Sequence, residues 1–297
     1  MSEEQRRPTG CPARDLCESS RFQGTRRAAL YTTGVNREWN ATAYHKVAAP
    51  QTTWGLRVLS RLDLRGDERV IDAGCGSGRL TASLLERLPG GRVLAVDRSW
   101  NMLQTARANL RPAFGARVSF VQVALPAMPF VEWADVVFST ATFHWVGDHP
   151  ALFDGIFTAL RPGGRLHAQC GGGPNLADAH ALADEVMRQS PFAVHFEGWP
   201  GAWHFATADE TRERLRVAGF EDVHTSLEPA PTTLATEADY REFVTTVIYH
   251  PHLARLPESL RPRFVDEVTS RAASQVPPFT LDYWRLNMRA TRPMASK

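Results

Sequence analysis

Two hydrophobic periods alternate along this chain. Short apolar runs at Val70-Ile71, Val93-Leu94-Ala95-Val96, Val118 to Val121, Ala134 to Ser139 and Gly164 to Cys170 read as strands buried on both faces. Between them the period lengthens to that of a helix. Leu80, Leu84, Leu85 and Leu88 share one helical face, Met102, Ala106 and Leu110 a second, and Leu152, Phe153, Ile156, Phe157 and Leu160 a third. Punctuation agrees with this reading: Pro89-Gly90-Gly91 stops the first helix, and Ser99 caps the second, which should end before Pro112. Such βα alternation predicts a parallel sheet with helices on both sides.

The last third of the chain has a different rhythm. Thr207-Ala208-Asp209-Glu210 is a capping box whose helix should run to Ala218, with Gly219 as the stop. Phe220 to His224 then enters a sixth strand. Thr236-Glu237-Ala238-Asp239 opens another helix, one more covers roughly Glu258 to Ser274, and Leu281 to Thr291 alternates as a seventh strand. Upstream of the sheet, Trp39, Tyr44, Val47 and Trp54 are the first bulky residues, and helices are expected over roughly 40–63. Residues 1–34 have no apolar periodicity and read as a disordered N-terminal tail.

The segment Asp72-Ala73-Gly74-Cys75-Gly76-Ser77-Gly78 carries the most chemistry, because it ends a buried strand in a glycine-rich turn and opens a helix. Gly74, Gly76 and Gly78 allow sharp backbone turns and a close ligand. A dinucleotide fingerprint would need a further glycine where Arg79 stands, so a pyrophosphate is not catered for. Asp97 ends the second strand about 20 residues beyond the turn, where an acid can accept both ribose hydroxyls. S-adenosylmethionine (SAM) fits this pattern: an adenosine without phosphates, and an amino acid whose ammonium Asp72 would attract.

These residues resemble the motifs of the class I SAM-dependent methyltransferases. Val70 to Gly78 is similar to their first motif, Val93 to Asp97 to their second, Ala134 to Trp145 to the fourth strand and its exit, and Leu160 to Leu166 to the turn into the fifth. The Trp39-Asn40 to Tyr44 opening and the His144-Trp145 exit resemble the small-molecule branch typified by trans-aconitate and malonyl-carrier-protein methyltransferases. The resemblance implies an α/β fold: a doubly wound, seven-stranded, mostly parallel sheet with N-terminal helices. Its last strand would insert antiparallel between the fifth and sixth, preceded by a helical cover at about 236–276, all within one domain over 35–297. It also implies that Tyr44 and Gln51 fold over the methionine end of SAM, with His45 and Lys46 near its carboxylate. Relatives often carry an acid after the third strand, where this chain has Ala124; adenine would then rest on backbone near Val123 and Ala124, between Met102 and the edge of Arg98.

Methyl transfer is an in-line displacement, so positioning outweighs acid–base assistance. His144, after the fourth strand at the carboxyl edge of the sheet, is the candidate for contact with the acceptor, as a base or as a hydrogen-bond donor. A loop-fixing role is its alternative. The aromatic stretch Phe196 to Phe205 would either wall the acceptor site or seal the sheet edge, and His250-Pro251-His252 reads as a helix-end turn rather than a metal site.

Composition narrows the partners. With 34 Lys and Arg against 32 Asp and Glu, the net charge of +2 gives no broad footprint for nucleic acid or an anionic membrane. The fourth-strand exit, Ser139-Thr140-Ala141-Thr142-Phe143, lacks the Pro-Pro-aromatic motif of nucleic-acid amino-methyltransferases. Cys11, Cys17, Cys75 and Cys170 form no framework or metal cluster and are expected as free thiols in the cytoplasm. The expectation is a cytoplasmic SAM-dependent methyltransferase, monomer or homodimer, acting on a small carboxylate or hydroxyl. A non-catalytic SAM- or nucleotide-binding protein and a methyltransferase of macromolecules are the alternatives.

Overall fold

Helix α1 (Ala49–Ser60) leads into the first buried run in the computed structural model, which describes residues 49–295. The apolar runs form β1 (Arg69–Ala73), β2 (Arg92–Asp97), β3 (Val118–Gln122), β4 (Ala134–Thr140) and β5 (Leu160–Gly171). The helical stripes form α2 (Arg79–Glu86), α3 (Trp100–Phe114) and α4 (His149–Ala159). After β5 come α5 (Ala177–Met187), α6 (Ala208–Val217) and β6 (Glu221–Pro229). The short β7 (Thr232–Thr233), α7 (Glu237–Phe243), α8 (His250–Arg255), α9 (Arg261–Ala273), β8 (Thr280–Leu281) and β9 (Trp284–Thr291) complete the order.

Seven strands lie in the order β3-β2-β1-β4-β5-β9-β6. β1 to β5 pair in parallel, and β9 runs antiparallel to both β5 and β6, as the resemblance implied. The order reverses between β1 and β4, which opens a crevice at the carboxyl ends of those two strands.

Alternate residues along the strands supply two cores. Ile71, Leu94, Val96 and Val137 pack with Phe153 and Ile156 of α4 on one face, while Val70, Val93, Ala95 and Val136 pack with Val58, Leu84 and Leu103 on the other. A third cluster joins Trp54 of α1, Ala179 and Ala183 of α5, Tyr240 and Phe243 of α7 and Phe264 and Val268 of α9. The cover is therefore larger than the 236–276 segment, because α5 supplies one of its faces.

Several boundaries differ from the sequence reading. α3 continues through Pro112 to Phe114, and Gly115 closes the end by donating to Arg111 O. β5 begins at Leu160, which pairs with Ala134 across a register shift, and β6 extends to Pro229 because β9 pairs along its length. The expected last strand is broken near Asp282, where Thr280–Leu281 turns away to pair with β7. The tail and Tyr44, His45 and Lys46 lie outside the described residues. Among the described residues no helix is long and apolar enough to cross a membrane.

Candidate active site

The three glycines after β1 do different work. All have positive φ, 82° at Gly74, 54° at Gly76 and 84° at Gly78. A Cβ on Gly74 would lie 2.2 Å from Thr142 Oγ1, and one on Gly78 2.7 Å from Leu110 Cδ1, so those two glycines permit packing against β4 and α3. A Cβ on Gly76 would meet nothing within 4 Å. At that point the turn leaves its backbone open to the cleft.

The turn is held by the end of β2. Gly74 and Cys75 both donate N–H to Val96 O, at 2.8 and 3.0 Å, and Gly76 N–H donates to Asp97 Oδ2 at 2.9 Å. Asp97 Oδ1 accepts from Ser99 N–H at 2.8 Å. Burial raises the Asp97 pKa, against the lowering effect of these two backbone bonds. Each carboxylate oxygen keeps a second lone pair.

Asp72, Gln51, Thr52, Gly76, Arg79 and Thr140 are among the residues lining an open cleft beside this turn. Asp72 is only 3% exposed and its Oδ2 accepts from Thr81 Oγ1 at 2.6 Å. Burial raises its pKa to about 7, helped by the nearby Asp97 charge and opposed by the Thr81 bond. Arg79 Nη1 donates to Thr52 Oγ1 at 2.8 Å, tying α1 to α2. Gln51 Oε1 is buried with no hydrogen-bond partner among the described residues. An unused acceptor, an acid that needs a cation and an open glycine backbone suit an ammonium-bearing nucleoside.

At the far side of Asp97, Met102 is buried beneath the Ser99 cap and Arg98 is exposed. Val123 N–H donates to Asp97 O at 3.1 Å and Ala124 O accepts from Ala127 N–H at 2.9 Å. Both groups thus serve the chain itself, leaving any adenine contact there to the remaining backbone.

The β4 exit bends at Ala141, whose φ of 54° is unusual for a residue with a Cβ. Ser139 Oγ donates to Ala73 O at 2.6 Å, strapping this exit to β1. A 3₁₀ turn, Phe143–Trp145, then carries His144. Gly171 N–H donates to His144 Nδ1 at 3.3 Å, so the ring's proton sits on Nε2. Burial lowers the His144 pKa to about 3, reinforced by the Arg285 charge, and keeps the ring neutral. The aromatic stretch meets it here. Phe205 lies 5.8 Å from the His144 ring, and Trp203 packs 5.5 Å from Trp145 and 4.7 Å from His180 of α5. His250 and His252 begin α8, with His252 buried in the cover against Trp199.

Sequence reasoning missed Thr81, Arg79, His149, Arg214 and Arg285. Thr81 meets Asp72 only once α2 has packed on β1. Arg285 gave no local signal, because β9 reaches the site only through its antiparallel insertion.

A protein-family model described as a methyltransferase domain matches residues 70–164, from β1 to the β5 turn. A trans-aconitate 2-methyltransferase of Paracidovorax citrulli is 31% identical over 241 residues, covering 77% of this chain and 86% of that protein. One from Rhizobium leguminosarum is 28% identical, covering 80% and 91%. Among solved structures, a phosphoethanolamine N-methyltransferase of Haemonchus contortus with bound S-adenosylhomocysteine superposes with a TM-score of 0.55 at 20% identity. It covers 86% of this chain and 57% of that one. The [4+2]-cyclase SpnF gives 0.54 at 18%, covering 82% and 81%, so likeness at this level speaks for architecture alone. The chain belongs to the class I SAM-dependent methyltransferases. Within them it falls in the small-molecule branch that includes the trans-aconitate 2-methyltransferases, and its cofactor is SAM.

Proposed function

We propose that this enzyme methylates a carboxylate of a small acceptor held beneath the cover, at His144. SAM supplies a methyl group on a sulfonium. Gly74, Gly76 and Gly78 would form its backbone cradle, Asp97 would receive the ribose, and Asp72, Gln51 and Arg79 would meet the ammonium and carboxylate of its amino-acid end. Arg98, Met102, Val123 and Ala124 would border the adenine.

The observation that carries the acceptor assignment is the hydrogen bond that His144 Nδ1 accepts from Gly171 N–H. With Nδ1 already accepting from Gly171 and a pKa near 3, the ring is a donor through Nε2 and not a base. Arg285 stands across the β5–β9 ladder from Gly171, 4% exposed, its guanidinium 4.5 Å over the Trp54 ring. A neutral donor beside a buried cation favours an anion. Such an acceptor is already ionised at pH 7 and needs no base. The trans-aconitate enzymes among its relatives support the same class.

His144→Phe and Arg285→Met test this. Each is expected to raise the acceptor KM or lower kcat, leaving the SAM Kd intact. Unchanged acceptor kinetics in both variants would remove the carboxylate reading.

A further inference from the structure

Behind the β4 exit, one arginine holds two histidines in opposite tautomers. Arg214 of α6 places Nη1 3.2 Å from His149 Nδ1 and 3.1 Å from His204 Nε2. A guanidinium nitrogen can only donate, and Nη1 has two hydrogens, one for each ring. Both contacted ring nitrogens therefore accept and carry no proton. His149 keeps its proton on Nε2, from which it donates to Phe143 O at 3.1 Å, and His204 keeps its proton on Nδ1.

These two residues hold consecutive carbonyls of the turn that carries His144, one through its ring and one through its backbone. His149 holds Phe143 O through its side chain, and His204 holds His144 O through its backbone N–H at 2.9 Å. The two rings also pack edge to face, with centroids 4.6 Å apart. His149 is 2% exposed, and burial lowers its pKa to about 4, so the neutral form that Arg214 requires persists through the physiological range. Glu210 faces the guanidinium at 3.9 Å, an exposed i,i+4 pair of small energetic weight. The arrangement joins α6, α4, the aromatic loop and the β4 exit at a single nitrogen.

We propose that Arg214 is a positioning residue for methyl transfer: by sharing Nη1 between His149 and His204 it fixes the turn on which His144 meets the acceptor. This rests on the assignment of His144 to the acceptor site. A plain helix-to-loop tie would stabilise the fold without setting the geometry of transfer.

Arg214→Gln and Arg214→Lys in the full chain separate the two roles. Imidazole ¹⁵N–¹H spectra of the wild type should show single, opposite tautomers for His149 and His204. In Arg214→Gln those signals should shift towards mixed tautomers, and kcat/KM for the acceptor should fall about 10- to 100-fold with the SAM Kd unchanged. Arg214→Lys, which keeps a charged donor, should recover part of both. A lower melting temperature with unchanged tautomers and unchanged acceptor kcat/KM would overturn the proposal. If the wild type methylates no small acid, the carboxylate reading fails by itself, and unchanged tautomers in Arg214→Gln would still refute the clamp. If Arg214→Gln does not fold, the wild-type spectra decide: single, opposite tautomers for His149 and His204 support the clamp, and matching or mixed tautomers refute it.

Discussion

With Asp72 receiving the ammonium of SAM as proposed, cofactor affinity should depend on pH in one direction. Its carboxyl is raised from an ordinary 3.8 to about 7, chiefly by burial, so half of the cofactor-free protein carries it protonated near neutrality. An ammonium in the cleft pairs with the ionised form. At pH 5 only about 1% of the molecules present that form, so affinity should be about 50-fold weaker than at pH 7, or about 2.3 kcal/mol. The sign for stability is opposite. Between 3.8 and about 7 the folded protein binds more protons than the unfolded chain, so this residue's contribution to cofactor-free stability declines as pH rises through that window. Titration calorimetry from pH 5 to 8, in buffers of different ionisation enthalpy, measures both the affinity and the proton released. Asp72→Asn should bind weakly and nearly independently of pH. A flat affinity profile in the wild type, or the full pH dependence surviving in Asp72→Asn, would refute the reasoning.

Further predictions separate the parts of the cradle. Gly74→Ala drives a Cβ into Thr142 at positive φ and should lower stability by about 1–3 kcal/mol, read as a fall in melting temperature. Gly76→Val has room for its side chain but strains the backbone at φ 54°, so some stability should be lost while SAM affinity falls steeply; normal affinity with an intact fold would place the ligand elsewhere. Asp97→Asn should weaken SAM on the order of 1.5–3 kcal/mol by calorimetry, since it loses a charge-assisted bond and loosens the strap to Gly76.

The strand, turn and helix that frame the candidate cofactor site were legible because they are local. Strand, glycine turn, helix and the acid at the next strand end occupy a short βαβ stretch, and residues 70–97 fold as their periodicity and punctuation imply. Ser99, Thr207 and Thr236 also cap the helices they were expected to cap, because a cap is decided within four residues. The surroundings of His144, the proposed acceptor site, are assembled from distant elements. Arg285 reaches Gly171 only through the β9 insertion, and His149, His204 and Arg214 meet only once α4, α6 and the aromatic loop have packed. The role of His144 stayed open between base and donor for the same reason. Its tautomer depends on Gly171, 27 residues away, and its pKa on the surrounding burial. α5 was not anticipated as part of the cover because its partners lie in α7 and α9.

The central claim, methyl transfer to a small carboxylate, is tested most directly by incubating the full chain with methyl-labelled SAM and a panel of small acids that includes trans-aconitate. Phenols, amines, transfer RNA and protein extract serve as competing acceptors. The account predicts label in a small-acid product, released by mild base as expected of a methyl ester. Label confined to macromolecules, or held in a base-stable N- or C-methyl product, would contradict it.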